Sequence, residues 1–450
     1  MAAMAETSFS AIEHALENQR LGGLQIRVAA ICGLIQMCDG YDVGSIGWSV
    51  PSLTHAWHIA PPAFALAFLW SSIGMMAGAL LAGPIGDRFG RKPLLMMSVT
   101  LFGLASLASA VSPSLGFLAA TRFFTGAGIA GGFAGTVALT GDYTPQRLRA
   151  TMIMLTFTGA PLGGFVGGQV VSLLLHEGFG WQMIFVIGGV FPLVLLAIAA
   201  LWLPESPRLL AARANLAPRH HALLGRLAIA HAPDEAHTID LARGNPIRLL
   251  FTQGYALQTI LLWIIFFCSL LDLFLFIFWL PEVLHLGGMT PAQSVFATSL
   301  YPLGGMLAVL YLGWAIDRFG AHRALAMHFA VGIVFISLIA LVAMPYIALL
   351  AVVLLAGTTV LGSQTGLNGA CGKLYPARMR ASGYGFATGV GRLGGIGAAP
   401  LGGYLLAMGL PPPYVFLSAC VFAAIAAVAT ALLALPARQL GAIPAIEETA

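Results

Sequence analysis

Hydrophobic positions along this chain come in long blocks, not in the narrow stripes of a water-soluble bundle. Twelve apolar segments centre near residues 39, 72, 103, 128, 162, 192, 269, 304, 333, 361, 393 and 424. Each is long enough to cross about 30 Å of hydrocarbon as a helix. The longest polar interval, 204–255, divides them six and six. The pattern predicts an all-α membrane protein of twelve transmembrane helices in two six-helix halves. The first half covers 24–203 and the second 256–436, with tails over 1–23 and 437–450 and a central loop over 204–255.

Composition agrees with the pattern: 59% of residues are hydrophobic and 8% are charged, against roughly 25% charged in soluble domains. The placement of the 21 Lys and Arg orients the spans. With the N-terminus in the cytoplasm, 19 fall on or beside the cytoplasmic side, and only Arg122 and Arg392 lie within spans. That is a strong positive-inside bias. It predicts a multi-pass protein of the cell (inner) membrane with both termini and the central loop cytoplasmic. The first apolar run is too long for a signal h-region, so no cleavable signal is expected. The five cysteines all lie in or beside apolar runs, with no CxxC, and read as small buried hydrophobes.

The two halves repeat. "GPIGDRFGRKPLL" (83–95) recurs as "GWAIDRFGAHRAL" (313–325) at an offset of 230, and "PQRLRAT" (145–151) recurs as "PARMRAS" (376–382) at an offset of 231. Both pairs fall in corresponding inner loops, so a site near mid-membrane between the halves is expected. In the loop motif, Gly83, Gly86 and Gly90 permit a tight turn and close helix approach. Asp87 is placed to bind free backbone N–H groups or an arginine at a neighbouring helix end. Arg88, Arg91, Asp317, Arg318, Arg149 and Arg380 supply the remaining charges of the repeated loops.

Charges inside the spans carry the candidate chemistry. A charged side chain at the bilayer centre costs at least about 2.5–3.5 kcal/mol and marks a partner or an aqueous path. Asp39, Asp42, Arg122, Asp272 and Arg392 are such residues, and Asp142 lies near the end of span 4. At about 1.5 Å per residue, Asp42, Arg122 and Asp272 come to a similar depth and Arg392 lies near the midplane. Two neighbouring carboxylates in a poorly hydrated place resist both being ionised, which suits Asp39 and Asp42 to proton handling. Arginine stays charged, so Arg392 and Arg122 are suited to attract a substrate carboxylate or hold an aspartate between cycles. Gly33, Gly40, Gly44 and Gly47 form a separate stripe on span 1, expected to pack on another helix while the aspartates face a cavity. Asp272 stands 230 residues after Asp42 and repeats it in the second half.

The repeated "GPIGDRFGRK" and the "LPESPRLL" (203–210) closing span 6, with Glu205 and Arg208, resemble the major facilitator superfamily. Within it, "DGYDVGSIGWSVPSL" (39–53), "ALTGDYTP" (138–145) and "GLNGACGKLYPARMRASGYGFATGVGRLGGI" (366–396) are similar to the aromatic acid:proton symporters. The resemblance implies the major facilitator fold and proton-coupled uptake of a small aromatic carboxylate, such as a benzoate- or hydroxybenzoate-type acid, by alternating access. It implies the proton gradient as driving force and no cofactor. Departures from the subgroup are Ala134-Gly135 for Pro-Asn, Asp142 for Glu, Phe386 for Trp, Trp181-Gln182 for Trp-Arg, and the additional Asp272.

By location, Tyr41, Phe133, Tyr384 and Phe386, with Phe276, are candidates to stack on a ring-bearing substrate. The expected partners are an aromatic acid, protons and the lipid bilayer, with no nucleic acid, for a protein working as a monomer. "HAPDEAHTID" (231–240) reads as a solvated loop more than a metal site, and no metal is expected. The chain has no Walker-type phosphate loop and no Ser/His/Asp constellation, so neither ATP-driven transport nor an enzyme is expected. The alternatives are an antiporter exporting drugs or other organic compounds, suggested by "TGAPLGGFVGG" (158–168), a symporter of a non-aromatic organic acid, and a sensor without transport.

Overall fold

The structure, a computed structural model, describes residues 22–207, 210, 250–251, 255–374 and 377–433. Within the helices, the side chains of residues 146, 150, 371–374 and 377–381 lie outside the description. Arg208, the side chains of Arg380 and Cys371, and the 231–240 stretch therefore fall outside the described residues.

Thirteen α-helices are described. In the first half they are α1 (Gly23–Trp57), α2 (Ala65–Phe89), α3 (Arg91–Ala110), α4 (Leu115–Tyr143), α5 (Gln146–Phe157), α6 (Gly159–His176) and α7 (Gln182–Trp202). In the second half they are α8 (Ala256–Leu286), α9 (Pro291–Phe319), α10 (Ala321–Leu341), α11 (Tyr346–Leu374), α12 (Ala377–Ala407) and α13 (Val415–Leu432). No strand occurs among the described residues, as expected where every backbone polar group must be satisfied within lipid.

Ten helical stretches among the described residues are long and apolar enough to cross a membrane, with α5 and α6 together forming one of them. The other two of the twelve expected spans are α1 and α12. At 35 and 31 residues they are amply long. Asp39 and Asp42 in α1 and Arg392 in α12, with numerous glycines, lower their hydropathy. The two most polar spans are therefore those that carry most of the candidate chemistry.

The repeat is visible in the packing. In the first half, a Cβ on Gly74 would stand 2.0 Å from the Phe123 carbonyl oxygen, so α2 and α4 touch backbone to backbone. In the second, a Cβ on Gly304 would stand 2.1 Å from the Leu354 carbonyl oxygen, joining α9 to α11 in the same way. Gly304 follows Gly74 by the loop offset, and Leu354 follows Phe123 by that of the second motif. Likewise α2 and α9 each end in Phe followed by a glycine of positive φ, Gly90 at 119° and Gly320 at 83°.

The chain forms two compact units. One comprises Met1–Ser45, Ile73–Gly164 and Gln182–Leu241; the other comprises Ile46–Ser72, Phe165–Trp181 and Ala242–Ala450. This division differs from a simple split at the central loop. The end of α1, the start of α2 and most of α6 belong to the second unit. There Phe68 stacks on Phe278 at 4.7 Å, Ser172 Oγ donates to the Ala292 carbonyl at 2.8 Å, and a Cβ on Gly47 would stand 2.5 Å from the Ile277 carbonyl oxygen. The "FLFIFWL" run (274–280) supplies core here, with Phe276, Phe278 and Trp279 all buried.

Candidate functional site

In the first unit, the glycine stripe of α1 packs on α6. A Cβ on Gly40 would stand 1.8 Å from the Ala160 carbonyl oxygen, and one on Gly159 would stand 2.3 Å from that of Gly33. The opposite side of α1 turns its aspartates toward α3, α4 and α7. Both are buried, at 4% exposure for Asp39 and 2% for Asp42. Both aspartates thus lie in the interior of the unit.

Asp42 has a full set of partners. Arg122 Nη1 of α4 lies 3.2 Å from its Oδ2, and Ser106 Oγ of α3 donates to its Oδ1 at 3.0 Å. The guanidinium also donates to Ser45 Oγ at 3.3 Å, Ser109 Oγ at 2.9 Å and Thr125 Oγ1 at 2.9 Å. It lies 4.9 Å from the centre of the Phe185 ring of α7, within cation–π range. Buried charges persist when they are paired and hydrogen-bonded, and this pair is both. Sequence reasoning did not find Ser45, Ser106, Ser109, Thr125 or Phe185. Ser106 and Ser109, three apart in an apolar span, were the available signal.

Asp39, nearly one turn away, is different. Neither of its oxygens has a hydrogen-bond partner among the described residues. A Cβ on Gly132 of α4 would stand 3.8 Å from both oxygens, an ordinary contact, so α4 passes beside the carboxyl group. Tyr41 is tied by its hydroxyl to the Ile184 carbonyl at 2.7 Å, and its ring is buried. Phe133 stacks on Phe157 at 4.9 Å and is exposed.

In the second unit, Arg392 of α12 is half-buried and has no ion-pair or hydrogen-bond partner among the described residues; its electrostatic contact is with Tyr384. Tyr384 is exposed and meets Phe266 edge-on, with centroids 6.3 Å apart. Phe386 packs against the buried cluster that contains Phe266 and Phe329. Asp272 is 2% exposed and lies among α8, α10, α11 and α13.

The loop motif of the first unit is a backbone clamp. Asp87 and Arg91 form an ion pair at 2.7 Å. Glu205 Oε1 accepts from the backbone N–H of Arg91 and Lys92 at 3.0 Å each and of Ser206 at 2.8 Å, so it caps α3 from the segment that follows α7. A Cβ on Gly90 would stand 2.3 Å from Glu205 Oε2. Gly86 faces the Arg91 side chain, while a Cβ on Gly83 would meet nothing within 4 Å. Asp142 Oδ2 accepts from Ser206 Oγ at 2.6 Å, and Arg149 Nε donates to the Gly141 carbonyl at 2.9 Å. In the second motif, Arg318 lies over the Trp314 ring at 5.6 Å, and Asp317 precedes it in the last turn of α9. No cluster of three metal-binding side chains occurs among the described residues. Cys32, Cys38, Cys268 and Cys420 are free thiols.

These features define a multi-pass membrane transporter built on a duplicated six-helix plan. The chain matches the Major Facilitator Superfamily model over residues 32–399 and 262–449, and it belongs to that family, whose members are transporters and not enzymes. It is 35% identical to the 4-hydroxybenzoate transporter PcaK of Pseudomonas aeruginosa over 88% of this chain and 89% of that protein. It is 34% identical to a gallate transporter of Pseudomonas putida over 96% of each. Among solved structures, a D-xylose-proton symporter shares the fold with a TM-score of 0.69 at 17% identity, covering 90% of this chain and 96% of the other.

Proposed function

We propose that this protein imports a small aromatic carboxylate together with protons, by alternating access, across the cell (inner) membrane. The relatives named for 4-hydroxybenzoate and gallate support the substrate class. The observation that carries the coupling is the contrast within α1: Asp42 is committed to Arg122, whereas Asp39 is buried with no hydrogen-bond or ion-pair partner among the described residues. An uncompensated charge at such a place costs several kcal/mol, and a proton on Asp39 removes it. Arg392 has no counter-ion among the described residues and supplies a cation for the substrate carboxylate, with Tyr384 beside it as a ring surface. The positive-inside bias orients both loop motifs and both termini to the cytoplasm.

The test is uptake into proteoliposomes under an imposed pH gradient, with benzoate-type acids and lipophilic cations compared in the same vesicles. Gradient-driven accumulation of the acids is expected in the wild type. Asp39→Asn should abolish accumulation while retaining exchange of labelled for unlabelled acid. Accumulation by that variant equal to wild type would overturn the coupling role, and transport of the cations alone would overturn the substrate class.

A further inference from the structure

Asp272 has no place in the reading above, yet it is the counterpart of Asp42. The equivalence extends to its surroundings. Ser269 stands where Asp39 stands in the first half, at the loop offset. Arg122 corresponds at the second offset to Val353, which is buried and apolar. The second half therefore keeps the carboxyl group and has lost its arginine. Asp272 Oδ1 and Ser269 Oγ have no hydrogen-bond partner among the described residues, and their residues are 2% and 1% exposed.

Both residues line a small cavity of about 10 Å³, with Thr359 of α11 and Gly332 of α10 on its walls. That volume is close to the minimum for one water molecule, and the two orphan groups are the polar partners such a water needs. No Lys, Arg or His lines the cavity among the described residues. The titratable groups in electrostatic contact with Asp272 are Cys268 on its own helix, Tyr301 of α9 and Cys420 of α13, all neutral groups. Arg392 of α12 contacts Tyr384 instead.

A polar chain starts one turn away. Ser363 follows Thr359 by one turn of α11, and its Oγ lies 3.0 Å from His328 Nδ1. His328 Nε2 lies 2.5 Å from the hydroxyl of Tyr311, a residue 41% exposed. His328 is the counterpart of Ser98, and Ser363 that of Gly132. In the first half, Gly132 is the residue whose added Cβ would approach the Asp39 oxygens. Ser363 lies one turn along α11 from Thr359, which lines the cavity.

We propose that Asp272 and Ser269 form a second proton-binding site, enclosed by the helices of the second unit and reached through Tyr311, His328 and Ser363. An ionised carboxylate without a cation or hydrogen-bond donor is the costly state, so the resident form is the neutral acid with at most one water beside it. His328 passes a proton by accepting it on one ring nitrogen and releasing another from the second, which leaves the other tautomer. The site has room for a proton and a water but not for the six or so oxygen ligands of a larger metal ion.

The inference goes beyond the Asp39 coupling reading, and its first readout needs no transport. Infrared difference spectra of the full chain in lipid vesicles at neutral pH should show the C=O stretch of a protonated buried carboxyl group that Asp272→Asn removes and Asp39→Asn leaves. Spectra identical in wild type and Asp272→Asn would overturn the site. Loss of the band on adding sodium chloride at constant pH would overturn it as well, because the occupant would then be sodium. Two variants that keep the carboxyl test the route and stand in if Asp272→Asn fails to fold. A Cβ on Gly332 would lie 3.4 Å from Thr359, an ordinary contact, so Gly332→Ala should fold and narrow the cavity. Gly332→Ala and His328→Gln should each slow hydrogen–deuterium exchange of the band by at least about tenfold, the effect of a barrier raised by about 1.4 kcal/mol. Exchange as fast as wild type in both would overturn the route. Failure of aromatic acid uptake would leave the band in place and so would count only against the proposed substrate.

Discussion

Arg122 and Asp42 form an ion pair at 3.2 Å in which both side chains are 1% exposed. The pair joins α1 to α4 inside one unit. Breaking a buried pair by removing one partner costs about 3–5 kcal/mol, because it strands a buried charge. Arg122→Leu should therefore lower the unfolding temperature of the purified protein markedly. The double variant Asp42→Asn/Arg122→Leu should recover much of the loss, since it strands no charge. A double variant less stable than Arg122→Leu would show that the pair is not the origin of the effect.

Asp39→Asn is predicted to leave stability almost unchanged. The residue has no hydrogen bond among the described residues to lose, and Asn is nearly isosteric with the neutral acid. Thermal unfolding in detergent checks this separately from the transport assay. A large loss of stability would mean that Asp39 is held by interactions other than those described.

Arg392→Gln should raise KM for the carboxylate by at least about tenfold, with a smaller effect on stability than Arg122→Leu. Charge-assisted hydrogen bonds of arginine to a carboxylate contribute about 1.5–3 kcal/mol each. Arg392→Lys should restore only part of the affinity, because an ammonium lacks the planar fork. Initial uptake rates over a range of acid concentration separate KM from the maximal rate.

Glu205 and Gly90 should fail together. Glu205→Ala removes one carboxylate that accepts from three backbone N–H groups. The loss of a helix cap costs about 0.5–2 kcal/mol. Gly90→Ala should cost at least as much, because its φ of 119° and the nearby Glu205 oxygen both oppose a side chain. Combining the two should be less than additive, since one clash disappears with the carboxylate. Unfolding measurements on the two single variants and the double variant test this.

His55 and His285, which are 230 residues apart, meet with Nε2 atoms 3.1 Å apart in the second unit. Residues equivalent in the repeat thus touch one another, closing the end of α1 on the end of α8. Cysteines at both positions, joined by a short bis-maleimide in a background without the native thiols, should arrest transport. The two single-cysteine controls should remain active. Unimpeded transport by the cross-linked protein would show that this end of the molecule need not open.

Much of this was legible in the chain. The span count follows from hydropathy because lipid demands about twenty apolar residues per crossing, and α1 and α12 fell short of the rest through their intramembrane charges and their glycines. The duplication was legible because loop turns need specific residues, which is why Gly90 and Gly320 reappear with the same sign of φ. Depth along a helix was also legible, and it placed Asp42 and Arg122 at one level. Depth does not give direction or neighbours. Asp39 and Asp42 looked alike, yet one is enclosed by Arg122 and Ser106 and the other has neither.

The sequence by itself determined the class of fold, the two-fold repeat and the inventory of buried charges, because each depends on local propensities and on the cost of moving polar groups into lipid. Only the tertiary structure decided which charges are paired. It showed that Arg122 is taken by Asp42, that Glu205 caps a helix more than a hundred residues before it, and that Asp272 and Ser269 line one small cavity. Those pairings depend on rotations and close approaches between helices far apart in the chain. A few tenths of an ångström at a glycine contact decide whether a donor reaches a carboxylate, and no one-dimensional pattern records that distance.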